Sequence, residues 1–381
     1  MKSVSVRECD NYDYHNVKIS VEKMIEDLGG LNKIIKPNSK VLVKPNLLMK
    51  KNPEDATTTH PMVVKVVCEK LLEIDCKIII ADSPGGPYTQ SSLRSIYRAT
   101  GMESVANELG VELNYDISEV KVENENAQAL KYMDIIKPIT EVDYVVNLCK
   151  LKTHQMATFT GGTKNLYGCI AGLKKAEIHY RFPTEELFCE DVLLDISSYV
   201  NPIITIMDGI VGMEGEGPSA GVPRKIGALL ASTSTHAIDY VACKIINLEA
   251  KRVPTLVGAI KRNLINEDGS DIEVTGDGID NLIIKDFDIP NTSRDFRLLS
   301  SSLPKFIHEP LTKMITPKPI IRHKDCIKCG KCVEACPAKV MKIDKNVNID
   351  LNKCIRCYCC HELCPKKAVD VKRSIIFRLI K

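Results

Sequence analysis

The sequence predicts a layered α/β body on a mostly parallel sheet, followed by a small α+β domain organised by cysteines. Three observations carry this expectation. Over residues 1 to about 290, short apolar runs alternate with amphipathic segments, as strands alternate with the helices that cover them. From Phe287 to Pro319 the periodicity stops, and Pro290, Pro304, Pro310, Pro317 and Pro319 mark a linker. Beyond it, cysteines recur in two copies of one spacing. The expected organisation is a body over 1–290, a linker over 291–319, and a cysteine-rich domain with its tail over 320–381.

Each element has its own signal. KVLVKPNLL (Lys40 to Leu48) reads as a buried strand running into a loop. PMVVKVVCEKLLEI (Pro61 to Ile74) opens on a proline, whose fixed φ suits a first helical turn, and continues with apolar residues at helical spacing. CKIIIADSPGGP (Cys76 to Pro87) is a second strand ending in a Gly/Pro turn. One helix is expected from Ser91 onward, closed by Gly110 as its C-cap. DYVVNLCKLKTH (Asp143 to His154) and NPIITIMDGIVGMEGEGPSAG (Asn201 to Gly221) repeat the strand-then-loop pattern. Ile226 to Leu248 reads as strand, turn and helix, and His60 and His236 fall at helix starts. The tail RSIIFRLIK (Arg373 to Lys381) has the pattern of a basic amphipathic helix, expected to pack on the body, with a membrane surface as the alternative.

At 381 residues the chain exceeds one typical domain, and 44% hydrophobic with 27% charged residues is ordinary for a water-soluble protein. The N-terminal residues lack the apolar run of a signal peptide, and no stretch approaches the ~20 apolar residues of a membrane span. A reducing, cytoplasmic setting is therefore expected. The net charge of +3 conceals an asymmetry: His323 to Lys381 hold 14 Lys+Arg against 6 Asp+Glu, and the remainder holds 38 against 43. This basic surplus is read as a balance to the negative charge that thiolate-bound clusters bring, and also as docking charge on an acidic body. No helix-turn-helix or basic arm points to nucleic acid.

CIKCGKCVEACP (Cys326 to Pro337) and CIRCYCCHELCP (Cys354 to Pro365) superimpose cysteine on cysteine: Cys326 on Cys354, Cys329 on Cys357, Cys332 on Cys360, Cys336 on Cys364. Cys359 falls on Lys331 and lies outside the pattern. Each copy is C-x2-C-x2-C-x3-C-P, the bacterial ferredoxin spacing, in which the fourth cysteine serves the other cluster. Cys326, Cys329, Cys332 and Cys364 are thus assigned to one [4Fe–4S] cluster, and Cys354, Cys357, Cys360 and Cys336 to a second. Zinc knuckles pair C-x2-C units across a long gap instead, and disulfides would need an oxidising compartment. The other eight cysteines (Cys9, Cys68, Cys76, Cys149, Cys169, Cys189, Cys243, Cys359) are scattered and read as small buried apolar residues. His361, beside the second motif, is placed to tune a cluster by hydrogen bonding.

Polar residues gather where the body's strands end: Lys44 with Asn46, Asp82 before Gly85-Gly86, Lys152 with His154, and Asp208 before Glu214. In parallel α/β sheets such ends line the ligand crevice. The richest stretch runs from Lys150 to Lys175, where Gly161, Gly162, Lys164 and Asn165 combine a flexible turn, a cation and an amide. Glycines there would let backbone N–H groups approach an anion. Neither a Walker A sequence nor the G-x-G-x-x-G dinucleotide spacing is present. Lys44, Lys152 and Lys164 together would repel one another in a crevice unless an anion is bound.

The KPN after the first strand, Lys152–His154 as K-x-H, GGTKNLYG from Gly161 and DGIVGMEGEGP from Asp208 resemble the DUF362 family over residues 1 to roughly 290, and 320–372 resembles two-[4Fe–4S] ferredoxins. The resemblance implies an iron–sulfur protein, with a redox partner protein and an oxidoreductase activity, but names no substrate. The function expected is electron transfer through two [4Fe–4S] clusters to or from an anionic small molecule. His154 and Lys152 are the catalytic candidates, and Lys44, Asn46, Asp82, Gly161, Gly162, Lys164, Asn165 and Asp208 the binding candidates. A two-electron reaction also asks for a relay, a flavin or further metal in the α/β body without a recognisable motif. The alternative is a non-enzymatic electron carrier or docking protein.

Overall fold

A computed structural model describes residues 1–292, 294–295 and 316–373. Most of the expected linker and nearly all of the tail segment lie outside these residues. The body is a nine-stranded sheet in the order Ile272–Gly276, Lys2–Glu8, Val222–Ser232, Ile204–Glu214, Tyr144–His154, Lys40–Pro45, Lys77–Ile80, Glu112–Leu113, with Thr158–Thr160 folded back on Tyr144–His154. Val222–Ser232 runs antiparallel to both its neighbours, and the rest of that order is parallel. The fold is α/β, layered and mostly parallel, as the alternating runs require.

The strands are near-continuous apolar runs because both faces are covered. Val41 and Val43 face the apolar layer under the helices Tyr14–Asp27 and Pro61–Leu72, whereas Leu42 between them faces the layer that holds Leu193–Val200. One expected element is broken. The helix meant to run to Gly110 is two, Gln90–Ala99 and Met102–Leu109. Gly101 sits between them at φ 79°, a left-handed conformation that an α-helix cannot pass through, while Gly110 caps the second helix as expected.

The cysteine domain is built from two small antiparallel pairs, Lys318–Ile321 with Val369–Lys372 and Met341–Ile343 with Val347–Ile349. It packs on the carboxyl ends of the body's strands. Tyr358 and Val371 enter the body's apolar layer, and Arg373 bonds Glu216, Gln155 and the Asn291 carbonyl. His361 belongs to this seam rather than to a cluster. Its Nδ1 meets the Val369 carbonyl at 2.6 Å and its Nε2 the Glu216 carbonyl at 3.3 Å, so both ring nitrogens face oxygens, not thiols.

Candidate functional site

The carboxyl ends of Lys40–Pro45, Lys77–Ile80 and Tyr144–His154 open on a cavity of about 860 Å³, mouth included. Its opposite wall is the cysteine domain, through Ala335, Cys359, Glu362 and Leu363. The close approach explains a glycine. A Cβ on Gly85 would stand 2.3 Å from Leu363 Cδ2, so a side chain there would displace the leucine that the cysteine domain packs against this turn.

Burial decides the role of each charge. Lys44 does not line the cavity; its Nζ lies 2.8 Å from Asp82 Oδ1, and both groups are buried. Asp82 reaches the cavity wall but is committed to Lys44 and to the Leu47 N–H. Asp208 is also away from the cavity, holding Lys150 at 2.8 Å, the Tyr12 hydroxyl and the His60 N–H. The expected repulsion of Lys44 with Lys152 and Lys164 is therefore corrected: Lys44 is neutralised. Lys152, Lys164 and Lys175 line the cavity, and none has an ion pair among the described residues.

The three lysines differ in what their ammonium protons meet. Lys175 Nζ is bonded by Ser83 O, Ser83 Oγ and Ile170 O within 2.8 Å, which uses all three donors. Lys152 Nζ has two acceptors, Asn46 Oδ1 at 2.8 Å and Thr57 O at 2.7 Å, leaving one valence for the cavity. Lys164 Nζ has no hydrogen bond among the described residues and stands 4.9 Å from the centre of the Tyr167 ring. Burial, with Lys150 and Lys164 adding repulsion, lowers the Lys152 pKa to about 7.

Asn46 and Asn165 are not turn caps. The carbonyl of Gly162 can only accept, so it fixes Asn147 with its amide nitrogen inward at 3.0 Å. Asn147 Oδ1 then accepts from Asn165, Asn165 Oδ1 from Asn46, and Asn46 Oδ1 from Lys152. This chain of amides orients the Lys152 ammonium.

The glycine turn departs from expectation. Gly162 N and Thr163 N donate to Asp239 at 2.6 and 3.0 Å, so an internal carboxylate fills the place foreseen for an external anion. A Cβ on Gly161 would lie 2.1 Å from Asp239 Oδ1, which is why glycine stands there. Burial raises the Asp239 pKa to about 6 against those two hydrogen bonds. Gly161 lines the cavity and Gly162 does not.

His154 Nδ1 accepts from the Met156 and Ala157 N–H groups at 3.0 and 3.1 Å, so the neutral ring carries its proton on Nε2. Nε2 lies 3.1 Å from Glu362 Oε1, without the alignment of a hydrogen bond. Burial, with Lys164 and Lys152 beside it, keeps His154 below the ordinary histidine range despite Glu362. His179 is stacked on Phe188 at 4.0 Å, and its buried Nδ1 has no partner on a wall of the same cavity. Burial and Lys164 lower its pKa to about 3, so it too is neutral.

The cysteines form two small cradles. Cys326, Cys329, Cys332 and Cys364 line one of about 370 Å³. Cys336, Cys354, Cys357 and Cys360 line another of about 340 Å³, with Cys359 also on its wall. In each, three thiols come from one motif and one from the other, the donor set that a cubane cluster takes. Cys359 is shared between the second cradle and the large cavity. The remaining unmatched cysteines are buried. Among the described residues, no three His, Cys, Asp or Glu side chains converge to hold a single metal ion.

The expected residues Asn46, Asp82, Lys152, His154, Gly161, Lys164 and Asn165 are brought to one cavity, while Lys44, Gly162 and Asp208 support it from behind. Lys175, His179 and Glu362 were not anticipated. Lys175 ends the stretch already singled out, but Glu362 is concealed between two cysteines of the second motif, and His179 carries no local signal.

A family profile described as "Domain of unknown function (DUF362)" matches residues 41–244, and one described as "4Fe-4S dicluster domain" matches 318–365. A curated "Thylakoid-associated protein" of Synechocystis sp. is 30% identical over 324 residues, covering 82% of this chain and 98% of the relative. The lactate racemase apoprotein of Thermoanaerobacterium thermosaccharolyticum aligns at 16% identity and a TM-score of 0.41, over 60% of this chain and 54% of that one. A Thermotoga maritima protein aligns at 15% and 0.35, over 60% and 57%. The chain thus spans little more than half the length of these solved structures. No helix among the described residues is long and apolar enough to cross a membrane.

Proposed function

Because this chain belongs to the DUF362 family and ends in a 4Fe-4S dicluster domain, we propose that it is an iron–sulfur oxidoreductase acting on an anionic small molecule held at the strand ends. Cys326, Cys329, Cys332 and Cys364 would hold one [4Fe–4S] cluster, and Cys336, Cys354, Cys357 and Cys360 the other. Such clusters, when bound, supply or accept single electrons.

The observation that carries this reading is the charge of the cavity. Lys152, Lys164 and Lys175 face it without a carboxylate partner, on a wall shared with a cysteine cradle. Of the two carboxylates on that wall among the described residues, Asp82 is committed to Lys44, which leaves Glu362. A buried ammonium without a counter-ion is costly, and an anionic ligand removes the cost. Lys152, oriented by Asn46, and Lys164, on its aromatic ring, contact the anion directly. Lys175, whose donors are taken by Ser83 and Ile170, contributes field to the extent that it is protonated, burial lowering its pKa to about 7. The orphaned His179 Nδ1 offers one more polar contact. A carrier that only docks a partner gives no reason for these groups.

His154 acts as a neutral donor. With Nδ1 held by two backbone N–H groups, it offers its Nε2 proton to a substrate oxygen on which negative charge develops. Two cavity lysines gain or lose a proton near neutrality, Lys152 and Lys175, both lowered to about 7 chiefly by burial. Lys152, with a valence free toward the cavity, is the one suited to general acid–base work.

Anion binding is therefore coupled to a proton. A bound anion raises the Lys152 pKa, so above about pH 7 binding takes up a proton and affinity falls as pH rises. Titration calorimetry with oxalate and inorganic phosphate, at about pH 8 in buffers of differing ionisation enthalpy, is expected to show uptake of about one proton per anion or somewhat more, since Lys152 and Lys175 are both lowered to about 7. Lys152→Met should remove the share of that uptake that belongs to Lys152, leaving only what Lys175 takes up. Binding without proton uptake, or unchanged uptake in Lys152→Met, contradicts the assignment.

A further inference from the structure

The two cysteine cradles differ in a way that the cavity does not use. The second is lined without a single charged side chain and abuts the body through Tyr358 and Cys359. The first lies on the outer side, with Cys329 exposed and Lys328, Lys331 and Lys366 on its rim. All three lysines are exposed, no acidic residue lines this cradle, and none of the three has an ion pair among the described residues. Ile327, 57% exposed, stands among them.

Compensation of cluster charge does not explain the ring. Both cradles offer four thiolates, so both clusters would bring similar negative charge; the inner one has Arg356 beside Cys354, its guanidinium bonded to the Thr316 carbonyl, whereas three lysines rim the outer one. Nor does the ring serve the body, which the other cradle faces. We propose that Lys328, Lys331 and Lys366, with exposed Ile327 on the same rim, are the docking surface for an acidic one-electron carrier protein, whose carboxylates surround its own redox centre. A ring of one sign beside an apolar contact steers such a partner and fixes its orientation, while keeping the complex transient and sensitive to salt. Electrons then enter or leave at the outer cradle, and the inner one lies between it and the cavity. This stands whether or not the cavity takes an anion.

The test uses the full chain, anaerobically reconstituted, and a purified acidic flavodoxin labelled for fluorescence anisotropy. Binding at about 20 mM salt is expected to weaken at least about tenfold at about 200 mM, as screened charge requires. The triple variant Lys328→Glu, Lys331→Glu, Lys366→Glu should lose at least about tenfold at low salt, with iron content and visible absorption unchanged. A control variant on the body, Lys23→Glu, Lys33→Glu, Lys36→Glu, changes net charge equally and should bind as the wild type does. An equal loss in both variants overturns the proposal, because net charge alone would then account for binding. So does absence of flavodoxin binding accompanied by ring-dependent binding to anionic phosphatidylserine vesicles, which would make the ring a membrane surface. If the triple variant loses iron, the single variants Lys328→Gln and Lys366→Gln replace it. Each should then weaken binding about threefold with iron retained, and no change in either overturns the proposal.

Discussion

Replacing Lys152 and Lys164 together by methionine is expected to weaken binding of oxalate or phosphate about a hundredfold or more, with iron content unchanged. Each lysine makes a charge-assisted contact worth roughly 1.5–3 kcal/mol, so Lys164→Ala alone should cost about tenfold. The pair shares one ligand, so the two losses need not add. The same double change should leave the ligand-free protein no less stable. Lys152 is depressed to about 7 in the folded state, so the unfolded chain binds more protons between about pH 7 and the ordinary lysine range. Over that window its contribution to stability rises with pH, and below it the buried charge opposes folding. A side chain that destabilises the fold where it sits is one kept for binding. Affinity by calorimetry and stability by urea unfolding at two pH values check both parts.

Cys360→Ser is expected to lose or degrade a cluster, whereas Cys359→Ser should keep close to the roughly eight irons of two cubanes. Both thiols line the inner cradle, so proximity alone does not separate them. The difference is register: Cys360 completes a triplet with Cys354 and Cys357 that repeats Cys326, Cys329 and Cys332, and Cys359 has only Lys331 as its counterpart. Cys359 opens the short helix Cys359–Glu362 and is buried between the inner cradle and the large cavity, where a serine of similar size fits. Iron analysis with EPR of the reduced protein reads the outcome. Equal iron loss in the two variants would refute the register.

The strands were legible because a parallel sheet covered on both faces writes itself as uninterrupted apolar runs such as Val41-Leu42-Val43 and Ile78-Ile79-Ile80. The cysteine pattern was legible because cluster ligands must recur at fixed short spacing. What escaped was pairing across long stretches of chain. Lys44 and Asp82, or Lys150 and Asp208, look like free functional groups until the sheet places them side by side. Gly161 and Gly162 resemble an anion cradle, and only the helix Thr235–Ile245 supplies the Asp239 carboxylate that occupies it. Glu362 escaped for another reason: it belongs to the body's cavity but is written inside the cysteine motif of the other domain.

The central claim is that the strand ends hold an anion against the inner cysteine cradle, and native mass spectrometry tests it most directly. The full chain, purified anaerobically and exposed to a library of small carboxylates and phosphates, would be compared with its Lys152→Met, Lys164→Met variant. A defined anionic adduct is expected on the wild type and absent from the variant, with the same iron and sulfide mass on both. Cluster-loaded spectra that are otherwise identical, with no adduct on either protein or the same adduct on both, would contradict it.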